Sequence, residues 1–322
     1  MRATLSRRQF VFLAASPAFA APQAEFSSDV KVVSLLVTVR DKNGMFVNDL
    51  SQADFTVTDD NQPQTIAYFS RQYDLPLTLG LLVDTSGSQV EVLKEEVEAS
   101  ATFIAQVLRP DMDQAFLSSF DRRPYLLQNI TGVPAQMKAS LGILNDRASS
   151  RETVNATVLY DAVAIAAKDI MSKQQGRKAL VLLTDGEDTA SNISLDSAVE
   201  ACQRADTVIY SIGIGPDLGR GEAALEALSR RTGGSFFEAS KKRTIEAIYR
   251  TMEEELRSQY NIGYVPPPPT GKGDAKTGKG NVKTGNGNVK KGSAFHKVKL
   301  TVNRPGLTAR TREGYYSGGD YK

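Results

Sequence analysis

The chain has 322 residues, enough for about two domains. Apolar residues make up 41% and charged residues 24%, ordinary values for a globular protein, and a net charge of +2 does not support nucleic acid as the main partner. A single cysteine, Cys202, excludes an intramolecular disulfide or a thiolate metal cage. A single histidine, His296, removes most zinc chemistry and leaves one candidate for any Ser-His-Asp arrangement.

Residues 1–21 read as an export signal. Arg2, Arg7 and Arg8 give a basic start, 11–15 a short apolar core, and Ala18-Phe19-Ala20 a small-residue cleavage site. The stretch is too short to span a bilayer. Ser6-Arg7-Arg8-Gln9-Phe10 fits the twin-arginine pattern; an ordinary secretion signal with paired arginines is the alternative. The mature chain is therefore expected in the periplasm, on the envelope or outside the cell, without a transmembrane span.

Residues 27–73 are expected to be all β. Val33, Leu35, Val37 and Val39 alternate with Ser34, Leu36 and Thr38, which is period two. Asp41-Lys42-Asn43-Gly44 is a hairpin turn. A second hairpin is expected between 55–58 and 65–69 around the polar tip Asp59-Asp60-Asn61.

From 75 to 260 the pattern changes to apolar strands alternating with amphipathic helices. Strands are expected at 77–83, 114–120, 125–130, 179–184, 207–214 and 234–238. Helices are expected at 90–108, 133–144, 157–171, 195–205, 222–231 and 244–259. This order specifies a doubly wound, mostly parallel α/β sheet with helices on both faces. Strands follow at 260–265 and 295–302. Each terminal β segment has too few strands to close a core, so one β-sandwich built from 27–73, 261–265 and 294–317, with the α/β unit inserted, is expected.

The stretch 266–293 is low in apolar residues and cannot repay the entropy of ordering; it reads as a disordered basic loop. Lysines 272, 276, 279, 283, 290 and 291 would suit contact with an anionic surface polymer, although a solvated hairpin insertion is the preferred reading.

Ligands of open α/β sheets bind at the carboxyl ends of the strands. Three such ends carry oxygen-bearing side chains here. The first strand runs into Asp84-Thr85-Ser86-Gly87-Ser88, a later one into Thr184-Asp185-Gly186-Glu187-Asp188, and Asn155-Ala156-Thr157 opens a helix between them. Asp84, Ser86 and Ser88 stand at alternate positions of one loop and can converge; Thr157 and Asp185 would add a hydroxyl and a second carboxylate. Oxygen-only donors of low charge suit Mg²⁺, or Ca²⁺ or Mn²⁺, with one position open to an Asp or Glu from a partner. Alone, Asp-x-Ser-x-Ser is as well explained by helix capping and Asp185-Gly186 by a turn. Their agreement at one sheet edge favours a metal.

Asp84-Thr-Ser-Gly-Ser88, Thr157 and Thr184-Asp185-Gly186 resemble the metal-ion-dependent adhesion site of the von Willebrand factor A domain family. The resemblance spans about 75–260, with flanks similar to those of exported bacterial members. It implies protein binding or adhesion, with Asp84, Ser86 and Ser88 as direct ligands and Thr157 and Asp185 direct or through water. Where the family usually carries glycines before the threonine, this chain has Asn155-Ala156.

No catalytic residue is expected. A hydrolase using Ser86 or Ser88 would need a general base, and the nearby carboxylates are those the metal would take. A structural or chaperone-like scaffold steadied by the metal is the other alternative. Cys202 is expected to be a small buried residue, His296 a surface residue of a strand, and Tyr315-Tyr316 to pack on the sandwich.

Overall fold

The computed structural model describes residues 32–71, 75–89, 93–149, 156–215, 218–266 and 294–317, with every side chain in them except those of residue 88 and residues 145–149. The export signal expected over 1–21, residue 155 and all of the basic loop beyond Pro266 lie outside these residues.

Strand β1 (Val33–Arg40) buries Val33, Leu35, Val37 and Val39, the alternation its sequence specifies. The following turn closes as expected. Gly44 N–H donates to the Asp41 carbonyl at 3.0 Å, and Asp41 Oδ1 accepts from the N–H groups of Asn43 and Met45. The return is a single bridge, Arg40 to Phe46, not a full strand.

The second hairpin differs from expectation. Strand β2 (Phe55–Asp59) pairs with β3 (Gln62–Gln64), whereas β4 (Ile66–Arg71) joins another sheet. Asp60 and Asn61 take φ of 48° and 66°. Two consecutive left-handed residues close a two-residue turn directly after Asp59, so pairing begins at Gln62.

The α/β unit follows the predicted order: β5 (Leu77–Asp84), α1 (Leu93–Val107), β6 (Gln114–Phe120), β7 (Pro124–Thr131), α2 (Pro134–Ser149), α3 (Leu159–Ile165), β8 (Arg177–Thr184), α4 (Leu195–Arg204), β9 (Val208–Gly213), α5 (Glu222–Thr232), β10 (Phe236–Glu238) and α6 (Ile245–Arg257). The strands lie in the order β10-β9-β8-β5-β6-β7, parallel except for β7 at the edge. Every residue of β5 and β8 is buried, which is why 77–83 and 179–183 read as largely apolar runs; β8 extends two residues further back, to the buried Arg177 and Lys178. Leu79, Leu81 and Val83 face a cluster with Phe103, Tyr249 and Met252 of α1 and α6; Leu82 faces one with Val163, Val199 and Leu225 of α3, α4 and α5. The helix expected over 157–171 is interrupted: α3 ends at Ile165 and passes through a π turn (Ala166–Ile170) and a 3₁₀ turn (Met171–Lys173).

Four further strands complete the molecule: β11 (Tyr260–Tyr264), β12 (Ala294–Val302), β13 (Thr308–Arg310) and β14 (Gly314–Ser317). Two antiparallel sheets result, β13-β1-β11-β4 and β14-β12-β2-β3, each drawing strands from both ends of the chain. They share one apolar cluster: Leu35, Val37, Tyr260 and Ile262 come from the first sheet, and Phe55, Val57, Val298 and Tyr315 from the second. Fully burying one such side chain is worth about 2 kcal/mol. This sandwich meets the α/β unit at the edge where the parallel strands begin. There Arg231 pairs with Glu313 at 2.6 Å, Arg312 with Asp206 just before β9, and Arg40 with Glu255 of α6 at 2.9 Å. The carboxyl ends of the parallel strands lie at the other edge.

Candidate metal centre

Strand β5 ends at Asp84, which is fully buried, beside Thr184 at the end of β8. Asp84 Oδ1 accepts from the Ser86 N–H at 2.9 Å, and the Ser86 hydroxyl also bonds the carboxylate. Thr184 Oγ1 donates to Asp84 Oδ2 at 2.6 Å and accepts from Gly186 N–H at 3.0 Å. Asp185, also buried, accepts from Glu187 N–H on Oδ1 and from the Gln89 side-chain amide on Oδ2, both at 3.0 Å. The short turn Gly87–Gln89 makes the second contact, because Gln89 N–H donates to the Ser86 carbonyl and folds the loop back.

Burial pushes the Asp84 carboxyl up to about 6. The charge of Asp185 pushes the same way, while the hydrogen bonds from Thr184 and Ser86 pull it down. Two carboxylates held at neighbouring strand ends with little water are costly as a pair of anions. A divalent cation would relieve that cost, and an all-oxygen donor set fits a hard ion.

The structure brings Asp84 and Ser86 into bonding contact and sets Asp185 on the adjoining loop. Thr157 is buried and pinned to the chain beyond Asp185: its carbonyl accepts from the N–H groups of Thr189 and Ala190, and its N–H donates to Thr189 Oγ1. Val158 N–H donates to the Asp121 carbonyl just past β6, so the threonine segment spans two strand ends. The Ser88 side chain lies outside the described residues. Asp188 serves the fold, accepting from Tyr160 N–H at the start of α3 and from Ser191 Oγ.

Two residues around the centre, Gln89 and Glu96, escaped the sequence reading; Gly221 belongs to the stretch 217–222, which follows a strand and so could reach the ligand edge, although its sequence reads more as an ordinary loop. Gln89 is fully buried, but a polar residue after Ser88 carries no signal of a reach to Asp185. Gly221 crosses the Asp185 loop so closely that a Cβ there would stand 2.2 Å from the Asp185 carbonyl oxygen. The turn Leu218–Arg220 just before it therefore touches the ligand edge, and Arg220 reaches Glu187 at 3.6 Å. Glu96 in α1 is 1% exposed and neither oxygen meets a hydrogen-bond partner. Burial first, and then the charges of Asp84 and Glu95, push its carboxyl up to about 8. Cys202 is buried, as expected. His296 is not the plain surface residue expected: its ring is half-buried, stacked on Tyr315, with a partner on each nitrogen.

The von Willebrand factor type A domain family matches residues 79–251, more than half of the chain. None of the curated proteins matches the sequence. Similar solved structures include an aerotolerance-related membrane protein from Bacteroides fragilis, 15% identical, with TM-score 0.45, covering 56% of this chain and 98% of that one. The vWF domain of the type V pili tip protein Mfa5 from Porphyromonas gingivalis is 12% identical, with TM-score 0.44, covering 56% and 94%. Proximal thread matrix protein 1 from the mussel byssus, with a zinc-occupied MIDAS motif, is 16% identical, with TM-score 0.46, covering 60% and 48%. On the sequence match and the parallel sheet that carries it, this chain belongs to the von Willebrand factor type A domain family.

Proposed function

We propose that the chain is an exported, non-enzymatic protein-binding module that grips an Asp or Glu of its partner through a divalent cation. Asp84 and Ser86 hold the ion together with Ser88; Thr157 and Asp185 complete the shell. Thr157 and Asp185 contribute directly or through water, and each Asp185 oxygen, like each Asp84 oxygen, is oriented by a hydrogen bond, here from Gln89 and Glu187. The observation that supports this most is the fully buried Asp84 carboxylate, tied to Ser86 and Thr184 with Asp185 beside it, at the carboxyl edge of a parallel sheet. When bound, Mg²⁺ (or Ca²⁺ or Mn²⁺) supplies an electrophilic site that an incoming carboxylate can ligate. The chain's own residues position the ion and keep its charge only partly neutralised.

The sandwich side leaves this edge open, since the two antiparallel sheets attach where the parallel strands begin. No helix among the described residues is long and apolar enough to cross a membrane. Capture of partners from an envelope extract, with and without EDTA and with Asp84→Ala alongside, tests the proposal. Partners retained by wild type in Mg²⁺ and lost both in EDTA and in Asp84→Ala support it. Identical capture in all arms assigns binding to the sandwich and rejects it.

A further inference from the structure

The sandwich contains a second cluster of metal-binding side chains, far from Asp84. The geometry points to a zinc-type site formed by Asp59, Asp60 and His296, which staples β2 to β12. One oxygen of each carboxylate and one ring nitrogen of His296 lie within 4.8 Å of one another. His296 Nδ1 is 2.9 Å from Asp60 Oδ2 and 3.8 Å from Asp59 Oδ1. A tetrahedral zinc with bonds of about 2.0 Å sets its donors about 3.3 Å apart, between those two distances. Asp41, Asp54 and the other surface acids have no such histidine, which is the chain's only one.

The outer atoms of each ligand are already held by the protein. Asp59 Oδ2 accepts from Tyr264 Oη at 3.0 Å and Tyr315 Oη at 2.8 Å. Asp60 Oδ1 accepts from Lys297 N–H at 2.9 Å. His296 Nε2 lies 2.7 Å from Ser317 Oγ, which is placed to donate to the Ala294 carbonyl at 3.4 Å and so to accept from Nε2–H. That arrangement leaves Nδ1 its lone pair and turns it toward the two inner carboxylate oxygens. Stacking on Tyr315, with interplanar angle 15°, holds the ring in that plane. Partners of this kind, fixing the tautomer and the unused oxygen, are what metal-ligating His and Asp normally carry.

Three lone-pair donors do not converge without a positive charge between them. A proton on Nδ1 would serve Asp60 at 2.9 Å but not Asp59 Oδ1. That oxygen is buried, on a residue 5% exposed, and has no hydrogen-bond partner. A metal serves both. One imidazole with two carboxylates suits a borderline first-row ion such as Zn²⁺ better than Mg²⁺ or Ca²⁺. Asp60, with a side chain 54% exposed, leaves the ion an entry path and a position for water. Asp60 and His296 lie 236 residues apart, in segments from opposite ends of the chain, so the ion would close the sandwich across the whole α/β insertion. The site is independent of the Asp84 centre: the sandwich joins the start of the parallel strands, and Asp84 lies beyond their length, about 23 Å for the seven steps of β8.

Because His296 is the only histidine, its ring nitrogens give a single pair of ¹⁵N signals in the tag-free full chain. Equimolar Zn²⁺ is expected to move the Nδ1 signal and leave Nε2 protonated, and to do so equally in Asp84→Ala. Zinc affinity should fall about 10-fold or more in Ser317→Ala, which removes a supporting partner but no ligand. His296→Gln should lose the zinc-dependent rise in melting temperature while keeping any Mg²⁺ response of the Asp84 centre. Ring signals that excess Zn²⁺ leaves unmoved would overturn the site, as would a shift that Asp84→Ala abolishes.

Discussion

Thr184 and Asp84 share a 2.6 Å hydrogen bond across two adjacent parallel strands, and the same threonine oxygen accepts the Gly186 N–H. One hydroxyl thus fixes the first carboxylate of the centre and the turn that carries the second. Thr184→Val keeps the shape of the side chain and removes both bonds. Mg²⁺ affinity is expected to fall about 10-fold or more, the usual effect of losing a group that orients a ligand, with the fold retained by circular dichroism. Unchanged affinity would detach Thr184 from the centre.

Gly221 and the Asp185 carbonyl oxygen are too close for any side chain between them. Gly221→Ala must move the Asp185 loop or the turn before α5. Overpacking of this kind costs about 2 kcal/mol. Urea unfolding should show that loss, and Mg²⁺ binding should weaken with it. A variant as stable as wild type would mean that the two loops separate freely.

Glu96 provides the pH dependence. Its carboxyl ordinarily ionises near 4.5 and is pushed up to about 8 in the fold, by burial before all else. Between those values the unfolded chain has released this proton and the native chain still holds it. Stability therefore falls as pH rises through the window and levels off above it. Glu96→Gln removes the fall and is expected to be more stable than wild type by about 4 kcal/mol near pH 8, with little difference near pH 4. Parallel stability profiles for the two proteins would contradict this.

Arg40 of the sandwich and Glu255 of α6 are joined at 2.9 Å. Glu255 is fully buried and otherwise accepts from Ser235 Oγ, which Arg310 also bonds. Removing Arg40 leaves that carboxylate buried without its counter-charge. Arg40→Ala should cost about 3 kcal/mol in urea unfolding. The double variant Arg40→Met with Glu255→Leu should recover most of it. A cost below about 0.5 kcal/mol would place the pair with ordinary surface ion pairs.

Much of this was legible in the sequence because burial on two faces and on one face leaves different periods. The apolar stretches 77–83 and 179–184 prove to be central parallel strands, the second beginning two residues earlier at Arg177; Val33–Arg40 alternates and lies on a sandwich face. The partner of Phe55–Asp59 is Gln62–Gln64 and not the expected 65–69, because the left-handed Asp60 and Asn61 close a tighter turn than the tip Asp59-Asp60-Asn61 implied and bring polar residues with no apolar signal into the pair. At the candidate centre, Asp84, Ser86 and Asp185 stood out through strand-end position and spacing. Gln89 and Glu96 did not, since each matters through a contact with chain distant in sequence or through burial on a helix face, and the stretch 217–222 that holds Gly221 could be placed near the ligand edge only by its position after a strand. The pairing of His296 with Asp60 spans 236 residues, and no local pattern announces it.

The central claim is that Asp84 anchors a divalent cation. The most direct measurement is calorimetric titration of Mg²⁺, repeated with Mn²⁺, into wild type and Asp84→Ala that retains the native circular dichroism spectrum. The account predicts one saturable site in wild type and none at that centre in the variant. Equal heats from the two proteins would contradict it.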